Sequence, residues 1–205
     1  PQLCSQQWLE GQQTLLIWGG ETKNDPAPLI INTLRKLRGR PLDAVVWVNA
    51  MSLNELSPPV YVDNLMQMLA RCSSALRWRV PLYIWSTQTT PWNQSTRISQ
   101  PVGCLLPPDC KAEMLRECLH SLLPKLRLRG TQQVLEDTRH DYLLSLAGAL
   151  NHGGIENFIH SLSTLLTRSR TIPLAGVMFS LPSTLMVNNL AHVWQVDKSW
   201  DELLS

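Results

Sequence analysis

The 205-residue sequence predicts an α/β fold with a mainly parallel sheet and a helical insertion subdomain. Three observations lead to this prediction. Apolar runs of strand length alternate with amphipathic segments in the first half of the chain, residues 107–171 then carry helical periodicity with no strand pattern, and a further apolar run follows them. Alternation of strand and helix is the order that a parallel sheet with right-handed crossovers requires.

Three short apolar runs predict the first strands of this sheet. They are Thr14–Trp18, Asp43–Val48 and Val80–Trp85. Their apolar character is continuous rather than alternating, which is typical of strands covered on both faces. The run Leu174–Phe179 predicts a return of the chain to the sheet, whereas residues 183–205 are compatible with either a short helix or an extended segment.

Two helical segments are expected between these strands. The first follows Asp25, which suits an N-cap, and ends at Gly39. Its apolar residues at helical spacing are Ile30, Ile31, Leu34 and Leu37. In the second segment, the apolar face consists of Val62, Leu65, Met66, Leu69, Cys72 and Leu76.

Residues 107–171 predict three amphipathic helices. The first has Leu115, Leu119, Leu122 and Leu126 on one face, the second has Tyr142, Leu143, Leu146 and Leu150, and the third has Ile155, Phe158, Ile159, Leu162, Leu165 and Leu166. Pro124 is expected to kink the first helix or to end its regular part. Gly130 follows the basic residues 125, 127 and 129 and is expected to close it. We therefore expect a sheet domain of residues 1–106 and 172–205 and a helical insertion of residues 107–171.

Composition excludes several classes of protein. Hydrophobic residues make up 44% of the chain and charged residues 17%, which is typical of a folded domain rather than a disordered tail. The formal net charge is only +2, so nothing in the overall charge demands a nucleic acid as partner. No apolar run reaches the roughly 18 to 20 residues of a membrane span. The chain begins with Pro1, and we interpret it as a fragment of a larger protein.

Cysteine spacing favours free thiols. The five cysteines are Cys4, Cys72, Cys104, Cys110 and Cys118, and none of them forms a CxxC pair. An odd number cannot close a complete disulfide framework, so we expect reduced, mostly buried side chains. Cys110, Cys118 and His120 share one stretch but lack the usual spacing of zinc ligands.

Ligands of parallel sheets bind at the carboxyl ends of the strands. The predicted ends are followed by Gly19-Gly20-Glu21, Asn49-Ala50 and Ser86–Thr89. The phosphate-binding pattern GxxxxGK followed by Ser or Thr is absent from the sequence, as are the GxSxG and HExxH motifs. Glu21 alone could organise a metal ion, but a lone loop carboxylate is more often solvated. We therefore predict no enzymatic activity, no cofactor, and no catalytic, nucleotide-binding or metal-binding residues.

Two basic groups precede predicted strands. We name as the basic rim the residues Arg38, Arg40, Arg77, Trp78 and Arg79. The rim lies at the edge of the sheet opposite the expected ligand edge. It either complements helix dipoles or docks an acidic protein or anionic lipid headgroups. Because Arg and Trp dominate interface hot spots, we predict that these five residues bind protein.

Four segments together resemble a known family. They are Arg38–Val48, Arg79–Ile84, Gln100–Gly103 and Pro173–Ser180. In order and spacing they resemble the cytoplasmic region of the IcmF/TssM proteins of bacterial type VI secretion. The resemblance implies a sheet of degenerate P-loop NTPase type in a GTPase-like cytoplasmic domain of an inner-membrane scaffold protein. It also implies that residues 19–21 correspond to the metal-binding loop of family members that have a nucleotide site. Residues 86–89 correspond to the segment that recognises the nucleotide base in those members.

The resemblance further implies partners. These are membrane-complex subunits of the TssL and TssJ type, reached through the membrane-anchored parent protein, and baseplate subunits of the TssK type, all met from the cytoplasmic face of the bacterial inner membrane. The hypothesis is therefore a scaffolding module that docks baseplate components to the membrane anchor. Two alternatives stay open: an NTPase of the same complex whose phosphate loop lies upstream of Pro1, and an unrelated α/β binding protein with a small-molecule pocket.

Overall fold

The computed structural model describes residues 3–8, 13–18, 45–49, 52–54, 63, 65–67, 69–70, 79–87, 102–107, 109–167 and 173–180. The strands are β1 (Leu3–Trp8), β2 (Gln13–Trp18), β3 (Val45–Asn49), β4 (Leu82–Ser86), β5 (Val102–Leu105) and β6 (Leu174–Phe179). The helices are α1 (Ala112–Glu136), α2 (Tyr142–Ala149), α3 (Ile155–Ser161) and α4 (Ser163–Thr167), with a kinked segment, Leu150–Gly154, between α2 and α3. Residues 63, 65–67, 69 and 70 are also helical. The fold is mixed α/β.

The main sheet has four strands in the order β3-β4-β6-β5. β3 pairs in parallel with β4, and β4 pairs in parallel with β6, as the apolar runs predict. β6 is the last described strand in the chain, yet it lies between β4 and β5. Its residues are almost all buried, which accounts for its continuous apolar sequence.

β5 is an edge strand that the sequence analysis did not predict. It pairs antiparallel with β6, so the four-stranded sheet is mixed. Its four residues, Val-Gly-Cys-Leu, are too few to show the alternating pattern of a strand or the three- to four-residue spacing of a helix. Because β5 runs against its neighbour, it ends at the edge where the parallel strands begin, and α1 starts from that edge.

The predicted place of the first strand was wrong. β2 forms as expected over Thr14–Trp18, but it pairs antiparallel with β1 in a separate two-stranded sheet. Only residues 9–12 connect the two strands, and such a short connection favours a local hairpin over a crossover. The segment after Trp18, which includes Glu21, therefore does not follow a strand of the four-stranded sheet.

α1 is longer than the sequence predicts. It continues through Pro124, which is exposed, and through Gly130 to Glu136. The predicted end at Gly130 was wrong because Gly130 serves packing: a Cβ there would lie 2.9 Å from Leu144 Cγ and 2.9 Å from the Leu144 backbone nitrogen of α2. The basic residues at 125, 127 and 129 therefore lie in the body of the helix and not at its last turn.

The remaining helices agree with the predicted pattern. α2 ends where the kinked segment Leu150–Gly154 begins, and this segment includes the predicted stop at residues 151–154. Gly153 has φ of 93°, a left-handed conformation that glycine adopts without a steric penalty, and it turns the chain into α3. The third predicted helix is divided at Leu162 into α3 and α4.

The helices and the four-stranded sheet share one hydrophobic core. The predicted apolar face of α1 is buried in it, as are Leu65, Met66 and Leu69 of the second predicted helix. The rings of Phe158 in α3 and Phe179 in β6 pack edge to face, with centroids 5.3 Å apart and an angle of 61° between the ring planes. Helices from residues 112–167 thus contribute to the same core as the sheet.

Several predictions fall outside the described residues. They concern the helix at residues 30–37, the segment 183–205, the residues at 19–21, and four of the five basic-rim residues. The division into a sheet domain and an insertion at residues 107–171 stays a prediction.

Candidate protein-docking surface

Arg79 is the basic-rim residue that the structure describes. It is exposed, whereas the next residue, Val80, is buried. Two backbone hydrogen bonds hold the start of the sheet beside it: Val45 N–H donates to the Pro81 carbonyl at 2.9 Å, and Leu82 N–H donates to the Pro173 carbonyl at 2.9 Å. Arg79 therefore projects from an ordered edge where the parallel strands begin. The other rim residues, Arg38, Arg40, Arg77 and Trp78, lie outside the described residues.

The opposite edge of the sheet is lined by hydroxyl groups. Ser86 is the last residue of β4, Thr87 follows it, and Ser180 follows β6; all three are buried. Trp85 Nε1–H donates to Ser180 Oγ at 2.7 Å, and Ser180 N–H donates to the Ser86 carbonyl at 3.1 Å. Among the described residues this edge carries uncharged groups, and its polar atoms connect one strand to the next.

The outer face of α1 exposes large apolar side chains. Leu128 is 67% exposed and Leu135 is 82% exposed. The two are seven residues apart, so they lie on nearly the same line along the helix. Met114 is also exposed and lies about four turns before Leu128 on nearly the same side of the helix. We name as the α1 ridge the residues Leu128 and Leu135 together with the exposed arginines Arg127 and Arg129 that flank Leu128.

Charge is distributed unevenly along α1. Near its start, Arg116 bonds to Glu156 of α3 through Nε–Oε1 at 2.7 Å and Nη2–Oε2 at 3.0 Å, and it also pairs with Glu113. In the middle of the helix, Arg127 and Arg129 have no ion-pair partner within the described part of the chain. The positive charge of the α1 ridge is therefore available to a negatively charged partner.

The ion pairs at the start of α1 perturb the titration of their members. Hydrogen bonds from Arg116 hold the pKa of Glu156 below its ordinary value, and the same bonds raise the pKa of Arg116. Both groups therefore stay charged over the neutral range. This network connects the start of α1 to α3.

Sequence analysis missed the α1 ridge. It assigned the basic residues to a helix end, and it considered only the apolar residues that point to the core. The missed signal is the pair Leu128 and Leu135, which recur at a helical interval on the side opposite Leu119 and Leu126. Single exposed apolar residues are common, whereas apolar side chains that together form a patch are candidates for contact with another protein.

Comparison with family models, with curated proteins and with solved structures finds no match to this chain. Among the described helices, none combines the length and the apolar character that crossing a bilayer requires. Since no relative indicates a function, the candidate site is inferred from the exposure and charge of its own residues.

Proposed function

We propose that this chain is a protein-docking module and not an enzyme. The observation that carries the proposal is the α1 ridge, in which two strongly exposed leucines stand beside arginines that have no acidic partner within the described residues. Covering a leucine side chain contributes about 1.5–3 kcal/mol, so these two residues offer a substantial part of a binding free energy. Basic residues beside them favour a partner segment that is both acidic and apolar.

The resemblance to the IcmF/TssM family suggests the partner. We propose that the chain is the cytoplasmic scaffolding module of a type VI secretion membrane complex, at the inner face of the membrane. The α1 ridge would bind an acidic, apolar segment of a TssK-like baseplate subunit, while the parent protein would join TssL-like and TssJ-like subunits. The exposed Arg79 is consistent with a second contact at the basic rim.

We further propose that the sheet is of the P-loop NTPase type and that it has lost the phosphate-binding loop. Two observations support this: β3, β4 and β6 pair in parallel, and the sequence has no phosphate-binding loop. The uncharged residues that end β4 and β6 offer no positive charge for a triphosphate. Under this proposal the fold provides a rigid support, and attachment to other proteins is its role.

Binding assays with ridge variants test the docking proposal. The double variant Leu128→Glu with Leu135→Glu should weaken binding to a purified TssK-like subunit by at least about tenfold, since a central apolar contact typically costs more than 1 kcal/mol when lost. Arg127→Glu with Arg129→Glu should also weaken binding, and the wild-type affinity should fall as salt rises. Biolayer interferometry measures all of these.

Asn151→Glu is the matched control, because it adds one negative charge at an exposed position outside the α1 ridge. Its affinity should equal that of the wild type. If the ridge variants keep full affinity for every baseplate and membrane subunit tested, the ridge is not the docking surface. Loss of binding in Arg79→Glu alone would instead assign docking to the basic rim.

A further inference from the structure

Residues 193–205 have a sequence that is complementary to the α1 ridge. This segment lies outside the described residues. It contains three acidic residues and one basic residue, which are Asp197, Asp201, Glu202 and Lys198. Its apolar residues recur at helical spacing and are Val193, Val196, Trp200, Leu203 and Leu204. The segment is therefore acidic and amphipathic, whereas the α1 ridge is basic and apolar.

The acidic residues of this segment are placed beside its apolar side. In a helix, Asp197 and Asp201 would lie about 60° and about 100° from Trp200, in the same direction around the axis. Arg129 lies about 100° from Leu128 around the axis of α1. Contact between the two apolar sides would therefore bring carboxylates to the ridge arginines, which have no acidic partner within the described part of the chain.

The chain is long enough to bring this segment to α1. Phe179, at the end of β6, packs against Phe158 of α3 with ring centroids 5.3 Å apart. An ion pair joins α3 to the start of α1, and Leu128 lies about 18 Å further along the helix from that pair. Residues 181–192 span up to about 40 Å at full extension. The connection is therefore long enough to reach the α1 ridge within one chain.

We propose that residues 193–205 bind the α1 ridge of their own chain and compete there with the docking partner. Trp200 and its apolar neighbours cover Leu128 and Leu135, and the carboxylates of the segment pair with the ridge arginines. The described structure, in which Leu135 is 82% exposed, is the open form of the ridge. The regulatory effect rests on the proposed docking function, whereas the contact within the chain does not.

Hydrogen exchange of the full chain, followed by mass spectrometry, tests the contact without any partner protein. A free segment of this length exchanges at close to the rate of an unfolded chain, because so short a helix is unstable in water. In the wild type, residues 193–205 should exchange at least about tenfold more slowly than in the double variant Leu128→Glu with Leu135→Glu. Asn151→Glu is the matched control and should keep the protection. Equal exchange in the wild type and the double variant would overturn the proposal.

A charge exchange tests the pairing of the carboxylates with the arginines. The segment variant, Asp197→Arg with Asp201→Arg, should lose the protection because like charges then meet. Its combination with Arg127→Glu and Arg129→Glu opposes unlike charges again and should recover the protection. A combined variant that recovers none would refute the pairing. Protection that rises with protein concentration would assign the contact to a second copy and would also overturn the proposal.

The affinity for a purified TssK-like subunit separates this inference from the docking function. The segment variant should bind the subunit more tightly by the same factor by which its exchange is faster, because the closed form reduces the fraction of chains that can bind. If no variant binds the subunit while the segment is protected, the docking function fails and the contact stands. If the wild type and the segment variant bind the subunit equally well, the regulatory inference fails and the docking function stands.

Discussion

Asp137 and Arg139 form a local ion pair just after α1. Arg139 Nη2 donates to Asp137 Oδ2 at 2.6 Å, and the Arg139 backbone N–H donates to Oδ1 at 2.9 Å. These bonds stabilise the carboxylate and lower the pKa of Asp137 from 3.8 to about 2. Because the folded-state pKa is depressed, the pair stabilises the folded chain above about pH 4, and that contribution is lost as the pH falls toward 2.

Arg139→Ala should raise the pKa of Asp137 back toward 3.8, since the side-chain bonds are the largest cause of its shift. Titration of the Asp137 carboxyl carbon by NMR measures this value. Arg129→Ala is the control, because Arg129 is exposed and does not bond to Asp137, and it should leave the midpoint at about 2. An unchanged midpoint in Arg139→Ala would show that other groups hold the carboxylate.

At the scale of single elements, the contact between α1 and α2 depends on one glycine. A Cβ at Gly130 would lie 2.9 Å from the Leu144 backbone nitrogen and 3.1 Å from Leu143 Cβ, both closer than ordinary contacts. Alanine is the better helix former by about 1 kcal/mol, yet a clash with backbone cannot be relieved by a side-chain rotation. Packing therefore outweighs helix propensity at this position.

Gly130→Ala should lower the free energy of unfolding by about 1–3 kcal/mol, the usual cost of overpacking. Gly148→Ala in α2 is the matched control, since a Cβ there meets nothing within 4 Å. It should leave stability unchanged or raise it by up to about 1 kcal/mol. Urea denaturation of both variants gives the comparison, and a stabilised Gly130→Ala would mean that α1 and α2 are further apart than described.

The elements differ in how far sequence predicts them. Helical periodicity located α2 and the buried face of α1, because burial on one side leaves a regular pattern in the sequence. β5 has only four residues and leaves none. The role of Gly130 was missed for another reason: a glycine after basic residues is also the pattern of a helix end, and only the packing of α2 distinguishes the two.

At the scale of the whole molecule, the sheet and the helices of residues 112–167 contribute to one core. Phe158 and Phe179 connect its two sides, and both are fully buried. Loss of either ring would leave a cavity between helix and sheet. A shared core of this kind favours unfolding of the sheet and the helices in a single step.

Phe158→Ala should lower the free energy of unfolding by about 3–5 kcal/mol. Far-UV circular dichroism, which reports helix, and tryptophan fluorescence should shift to the same lower midpoint. His160→Ala is the control, because His160 is exposed on the same helix, and it should change stability by less than about 0.5 kcal/mol. Two separate transitions would indicate instead that residues 107–171 fold independently.

The sequence also predicted the candidate site unevenly. The docking role stays a prediction. The structure shows that one of the five residues named for it, Arg79, is exposed before a buried strand. The α1 ridge was missed because only the apolar residues of the predicted buried face were considered, although Leu128 and Leu135 recur on the side opposite that face.

The position of β6 has a consequence for biosynthesis. This strand separates β4 from β5 and is reached only at residues 174–179. A ribosome must therefore translate past residue 179 before the two earlier strands acquire their common neighbour, and the nascent chain carries their unpaired, apolar edges until then. The sheet is consequently completed only after β6 has been made, and any premature stop codon before residue 174 removes an interior strand of the sheet rather than an edge strand.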